Sequence, residues 1–307
     1  ICLAATLSAP AEVIAAAGAK AWIESGEAAA GATVGILTDN GPVIGAAGSA
    51  AEKVLTEAGY KVSKVEMNAL SGDNAAINQE GADGVAKFQA DGAVRVLVTS
   101  PFTENTGFWT AAAAAGLKFN LLDTSSSGCS AFGLSRAPAA AVGSECVTPY
   151  DQATDGKTIR PDTEFEAACR ENFDTNFSDY YGGKSNPGVP AGEIITDTAG
   201  NKLYSDYTPQ ECALANIFKL AMTAAGVNPT RASFMDALFN LGDVPLANAS
   251  DGAGHFEPGK AYAATKVHTV KITGAARDTT APDANGLYNG CAAPVNCGIV
   301  VSDWTDI

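Results

Sequence analysis

Between Ala32 and Ser130, short apolar runs alternate with helix-length stretches, and three of the runs end in small polar clusters. Thr33-Val-Gly-Ile-Leu37 meets Thr38-Asp-Asn-Gly-Pro42. Val94-Arg-Val-Leu-Val98 meets Thr99-Ser-Pro-Phe-Thr103, and Phe119-Asn-Leu-Leu122 meets Asp123-Thr-Ser-Ser-Ser-Gly128. Strands spaced by helices predict a parallel sheet with crossover helices, an α/β fold. The pattern places strands at 33–37, 60–67, 94–98 and 118–122, with 60–67 on the outside. Helices are expected over 10–26, 42–58, 75–90 and 104–115. Pro42 suits a helix start, and Gly59 and Gly116 suit helix ends.

Further along, Cys146-Val-Thr-Pro-Tyr150 predicts a short strand leaving this unit. Phe165, Cys169, Phe173, Phe177 and Tyr181 recur every fourth residue and define one apolar helix face over 162–181. Residues 182–206 are rich in Gly and Pro and have no helical period, as in an insertion or long surface loop. Helices are expected at 209–225 and 230–241, then strands at 266–272 and 298–301. The resulting division is a crossover segment over 1–18 and a strand–helix lobe over 19–148. A helical part covers 149–245, and C-terminal strands and loops cover 246–307.

Composition narrows the function. The 307 residues are 46% hydrophobic, enough for a sizeable core. The net charge of −15 comes with no Lys/Arg cluster, which excludes nucleic acid and disfavours an anionic membrane surface. The Ala-rich stretch 11–30 carries Glu12, Lys20, Glu24 and Glu27 and so predicts a water-soluble helix. Seven cysteines and two distant histidines, with no C-x-x-C pair, argue against zinc and for disulfides in an oxidising compartment. Cys291 and Cys297 would close a short loop containing Pro294. Cys129 and Cys146 bracket one segment, and Cys169 and Cys212 lie on helices expected to pack together. Cys2 is left unpaired.

In such a sheet, ligands bind at the carboxyl ends of the strands. Thr99, Ser100 and Phe102 follow a central strand; they supply hydroxyls and a flat wall. Asp123, Thr124 and Ser125 follow the next strand, and Asp39 follows the first. Tyr150 sits where the chain leaves the unit. Each cluster is also a good turn or helix cap, and that alternative stays open. Gly41, Gly45 and Gly48 do not match a phosphate-binding loop. No nucleophile elbow surrounds Ser125 to Ser127, so hydrolysis there is the weakest reading. Lys87, on an outer helix, is expected to be a neutral control.

The order and spacing of several segments resemble the type I periplasmic binding proteins of the branched-chain amino-acid group, over about residues 15–275. The carrying residues are Thr33-Val-Gly-Ile-Leu-Thr-Asp39, Glu57-Ala-Gly-Tyr60 before Val62–Met67, Val94–Ser100, and Ala114-Ala-Gly-Leu-Lys118 before Leu121-Leu-Asp123. Phe165–Tyr181, Ala221-Met-Thr-Ala-Ala-Gly226 and Ser233-Phe-Met-Asp-Ala-Leu238 follow in the family order. The resemblance implies an exported solute-binding protein, without enzymatic activity or cofactor. It would close two lobes around a small polar molecule, an amino acid or a relative, and deliver it to an ABC-type transporter permease. It also implies that most of an N-terminal lobe is missing here. Where the family often places an aromatic-Gly pair, this chain has Val43-Ile-Gly45, so an amino-acid specificity does not carry over directly. The alternative is a structural or self-assembling protein on the same fold with no retained ligand.

Overall fold

The computed structural model describes residues 8–68, 73–99, 106–122, 124, 141–150, 162–177, 194–196, 202–204, 208–247, 249–273 and 297–307. Helix α1 (Ala11–Glu24) is followed by strand β1 (Thr33–Asp39), α2 (Ile44–Glu57) and β2 (Lys61–Met67). Then come α3 (Asn74–Ala90), β3 (Ala93–Val98), α4 (Thr106–Ala114), β4 (Phe119–Leu122) and β5 (Glu145–Thr148). The strands β2-β1-β3-β4-β5 are parallel neighbours in that order. β2 is therefore the outer strand, as its charged residues suggest. The sheet continues antiparallel through β10 (Lys266–Thr273), which pairs with β5, β11 (Cys297–Val300) and β12 (Thr305–Asp306).

Helices cover both faces, as a parallel sheet requires. On one face α1 and α2 bury Trp22, Ala47, Ala51 and Leu55 against Val34, Ile36, Leu97 and Leu122. On the other, α3 and α4 bury Phe88, Phe108 and Trp109 against Val96, Val98, Phe119 and Leu121. The alternation of strand residues between these two cores is the period-2 pattern of a pleated sheet. Trp109 stacks at a tilt on Phe119, ring centroids 4.7 Å apart, and Phe108 meets Trp109 edge-on at 4.9 Å.

Two glycines let α3 and α4 touch backbone to backbone. A Cβ on Gly81 would lie 2.3 Å from the Phe108 nitrogen, and one on Gly107 would lie 2.3 Å from Asn78 Cα. The Asp73 side chain caps α3 by accepting from the Ala76 amide at 3.1 Å. At the far end, Lys87 does not stand free as a neutral control should. Its ammonium donates to Ser63 Oγ at 2.9 Å and pairs with Asp91 at 2.7 Å, and Ser63 donates to Asp91 at 2.6 Å. The cluster ties the end of α3 to β2.

A second core lies beyond β5. Helices α5 (Glu164–Phe177), α6 (Thr208–Ala225) and α7 (Arg231–Phe239) lie within the stretches expected to be helical at 162–181, 209–225 and 230–241, to within a residue at their ends. Ile217, Ala221, Phe234 and Leu238 bury against Tyr150, Val244, Leu246 and Phe256. Cys169 on α5 and Cys212 on α6 are joined by a disulfide, with Cα atoms 6.2 Å apart. Cys146 on β5 is also disulfide-bonded, whereas Cys2, Cys129 and Cys291 lie outside the described residues. Within the stretch expected to be an irregular insertion there is a hairpin, β6 (Ile194–Thr196) with β7 (Lys202–Tyr204). A second small pair, β8 (Val244–Pro245) with β9 (Ala253–Gly254), frames a tight turn at Ser250–Gly252. Among the described residues, no helix is long and apolar enough to cross a membrane.

Candidate functional site

The carboxyl ends of β1, β3, β4 and β5 lie side by side, because these strands are parallel and adjacent. Thr38 and Asp39 close β1, Thr99 follows β3, Thr124 follows β4, and Tyr150 follows β5. The sequence candidates among the described residues thus share one rim. Ser100, Phe102, Asp123 and Ser125 lie outside the described residues.

Hydrogen bonds knit the rim from strand to strand. The Thr99 amide donates to the Leu37 carbonyl at 3.1 Å, and Thr99 Oγ1 donates to Thr38 Oγ1 at 3.0 Å. Thr38 Oγ1 in turn donates to the Ile44 carbonyl at 2.8 Å, anchoring the start of α2. Gly48 makes room for this link, since a Cβ there would sit 2.5 Å from Thr38 Oγ1. Thr124 Oγ1 donates to the Thr99 carbonyl at 2.6 Å and couples β4 to β3.

This geometry gives Thr99 a structural part in the rim. Its side chain is fully buried and its hydroxyl is committed to Thr38. It braces the rim from behind. Thr38, which sequence reasoning passed over, is its buried partner; the signal was a second threonine at an equivalent strand end. Asp39 and Thr124 are only half-buried. Asp39 Oδ1 accepts from the Gly41 amide at 2.7 Å, the turn anticipated for Asp-Asn-Gly-Pro, and its carboxylate remains a second acceptor at the rim.

Tyr150 is buried, and its side chain belongs to the second core. Its carbonyl is 2.7 Å from His268 Nε2, and the His268 ring stacks on Trp304 at 3.9 Å. Tyr150 therefore marks the passage between the two cores. Among the described residues, no group of three or more His, Cys, Asp or Glu side chains is placed to hold a metal ion. The chemistry on the rim is that of hydroxyls, one carboxylate and backbone amides. Such groups fix an orientation by hydrogen bonding.

The architecture is the type I periplasmic binding protein fold, a largely parallel α/β sheet with helices on both faces. The structure of a branched-chain amino acid ABC transporter from Thermus thermophilus with bound valine is similar to it, with a TM-score of 0.59 at 15% identity. The match covers 97% of this chain and 65% of that one. A fatty acid ABC transporter substrate-binding protein from Thermomonospora curvata matches with a TM-score of 0.58 at 15% identity, over 97% of this chain and 63% of that one. An ABC-transporter solute-binding protein from Rhodopseudomonas palustris in complex with 3,4-dihydroxybenzoic acid gives 0.51 at 13% identity, over 95% and 65%. This chain therefore spans less than two thirds of the length of these structures. No protein-family model matches the sequence, and no curated protein sequence matches it significantly.

Proposed function

We propose that this chain is an exported solute-binding protein that works with an ABC-type membrane transporter and carries out no covalent chemistry. One observation carries the reading: the half-buried Asp39 carboxylate and Thr124 hydroxyl at the carboxyl ends of parallel strands β1 and β4, on either side of β3, in a fold whose solved neighbours hold small solutes. Those neighbours are described as binding valine, a fatty acid or a dihydroxybenzoic acid. What they share is a small molecule with a carboxylate and a variable body, and this is the substrate class assigned here. The contacts proposed are Asp39 and Thr124 on the described rim, with Ser100, Phe102, Asp123 and Ser125 beside them. Tyr150 lies at the passage about which two lobes would close.

The test is isothermal titration of the full-length polypeptide with aliphatic amino acids, aromatic acids and fatty acids. A ligand from one of these sets should bind, and Thr124→Ala should weaken it by about 0.5–1.5 kcal/mol, the net value of one hydrogen bond. Lys53→Ala is the control, because Lys53 is exposed on α2 and makes only a loose pair with Glu57 at 3.9 Å. No binding across all three sets overturns the reading. Binding that responds to Lys53→Ala and ignores Thr124→Ala and Asp39→Asn moves the site elsewhere.

A further inference from the structure

Two segments connect the sheet to the second core. Thr148–Tyr150 leaves β5, and Ala264–Lys266 re-enters the sheet at β10. Both are tied to one residue. The Ser250 amide donates to the Pro149 carbonyl at 2.9 Å, on the outgoing segment. Ser250 Oγ accepts from the amides of Thr265 at 3.1 Å and Lys266 at 3.2 Å, and donates to the Lys266 carbonyl at 3.2 Å, all on the returning segment. A hydroxyl has one proton and two lone pairs, so its bonding capacity is fully used. Ser250 is 1% exposed, and water does not compete for these bonds.

The backbone there is one the local sequence does not favour. Ser250 and Asp251 have φ of 48° and 60°, followed by Gly252 at 84°. Consecutive left-handed residues carrying a Cβ are sterically disfavoured, and they persist only where surrounding contacts impose them. The contacts that hold it include the bonds of Ser250, the bridge between Tyr150 and Ala249, the bond from the Gly252 amide to the Ala249 carbonyl at 2.9 Å, the bond from the Leu246 amide to the Gly252 carbonyl at 2.9 Å, and the Asp251–Lys266 ion pair at 3.6 Å.

We propose that Ser250 is a positioning residue, a clasp that holds the outgoing and returning segments in register and so sets the angle between the sheet and the second core. Its hydroxyl carries the clasp, and the left-handed turn presents that hydroxyl to the returning segment. The proposal stands on the turn alone and holds whether or not the rim takes a solute.

Two measurements on the full chain test it. The first is the spread of distances between dyes attached through non-canonical residues at Lys53 on α2 and Arg231 on α7, read by single-molecule energy transfer. The second is amide hydrogen exchange. In Ser250→Ala and in Ser250→Gly the distance distribution should broaden. The Thr265 and Lys266 amides should exchange about tenfold faster, the ratio expected from losing about one net hydrogen bond. Amides of β1 and β3 should keep their wild-type rates. Asp251→Gly relaxes the backbone and gives up the loose 3.6 Å ion pair of Asp251 with Lys266, both groups at least a third exposed and worth little to the fold; the hydroxyl stays in place and the wild-type distribution should be kept. Wild-type distributions in both Ser250 variants overturn the proposal. So does an Asp251→Gly distribution as broad as theirs, because the turn's backbone or its Asp251–Lys266 pair, and not the Ser250 hydroxyl, would then carry the effect. If neither Ser250 variant folds, exchange in the wild-type protein decides. A single shared opening rate for the Ser250, Thr265 and Lys266 amides supports the clasp, and independent rates overturn it.

Discussion

A threonine at a strand end can turn its hydroxyl outward or into the sheet, and the choice depends on what the neighbouring strand offers. Thr99 and Thr38 found each other, so both hydroxyls are spent inside the protein. Thr99→Val keeps the shape and removes the donor, leaving Thr38 without its incoming bond. Thr38 still donates to the Ile44 carbonyl, so denaturant unfolding should register a loss of about 0.5–1.5 kcal/mol, the net value of one hydrogen bond. The residue type after β3 was legible in the sequence; the direction of its side chain was not, because its partner lies 61 positions away. Lys87 teaches the same lesson. An exposed-looking lysine on an outer helix is bonded to Ser63 and Asp91. The Lys87 ammonium, and then the Ser63 hydroxyl, hold the Asp91 carboxyl below the usual carboxylate range. A depressed carboxylate stabilises the fold above its unfolded pKa, near 3.9, and that contribution fades as pH falls through the lower folded value. The difference in Tm between the wild type and Asp91→Asn, followed from pH 7 downward, should therefore shrink only in the acid range.

At the scale of elements, helices and long strands were readable because apolar positions recur with their own periods, 3.6 and 2. Short pieces escaped. Ile194-Ile-Thr196 and Lys202-Leu-Tyr204 are too brief to show a period, and the pairing that makes them strands is not a local property. Glycine spacing carried information that a reading of apolar positions passes over. Gly81 and Gly107 bring α3 and α4 into backbone contact, so Gly107→Ala must push the helices apart. Overpacking of this kind costs about 1–3 kcal/mol or more, and thermal unfolding should show a clear fall in Tm with the fold retained. The Cys169–Cys212 link joins α5 to α6 across 43 residues of chain. Its reduction should lower stability by about 2–4 kcal/mol, the effect of releasing a loop of that size. Calorimetry with and without a reductant that leaves Cys146 oxidised separates the two bridges.

For the molecule as a whole, a parallel sheet built on the first four strands was legible, three of them marked by the small polar clusters that follow; β5, expected to leave the unit, instead pairs parallel with β4. The antiparallel closure by β10, β11 and β12 was not, since no local signal says which edge a late strand will join. Among the described residues, the same topology gives β2 a partner on one side only. Lys61 is exposed there, and Lys64 lies 2.9 Å from Glu66 and 3.2 Å from Glu52. Partial burial draws the Lys64 ammonium down, but the bonds to Glu66 and Glu52 outweigh it and raise the pKa overall. It therefore keeps its charge until pH rises through that higher value. An unpaired strand is a template on which a second molecule can lay its own, the first step of a fibre. Charges that cannot be shed at neutral pH make that step costly, because each new contact would have to strip water from an ammonium. Lys61→Val with Lys64→Val should leave the monomer folded and turn concentrated solutions turbid, with light scattering that climbs with protein concentration.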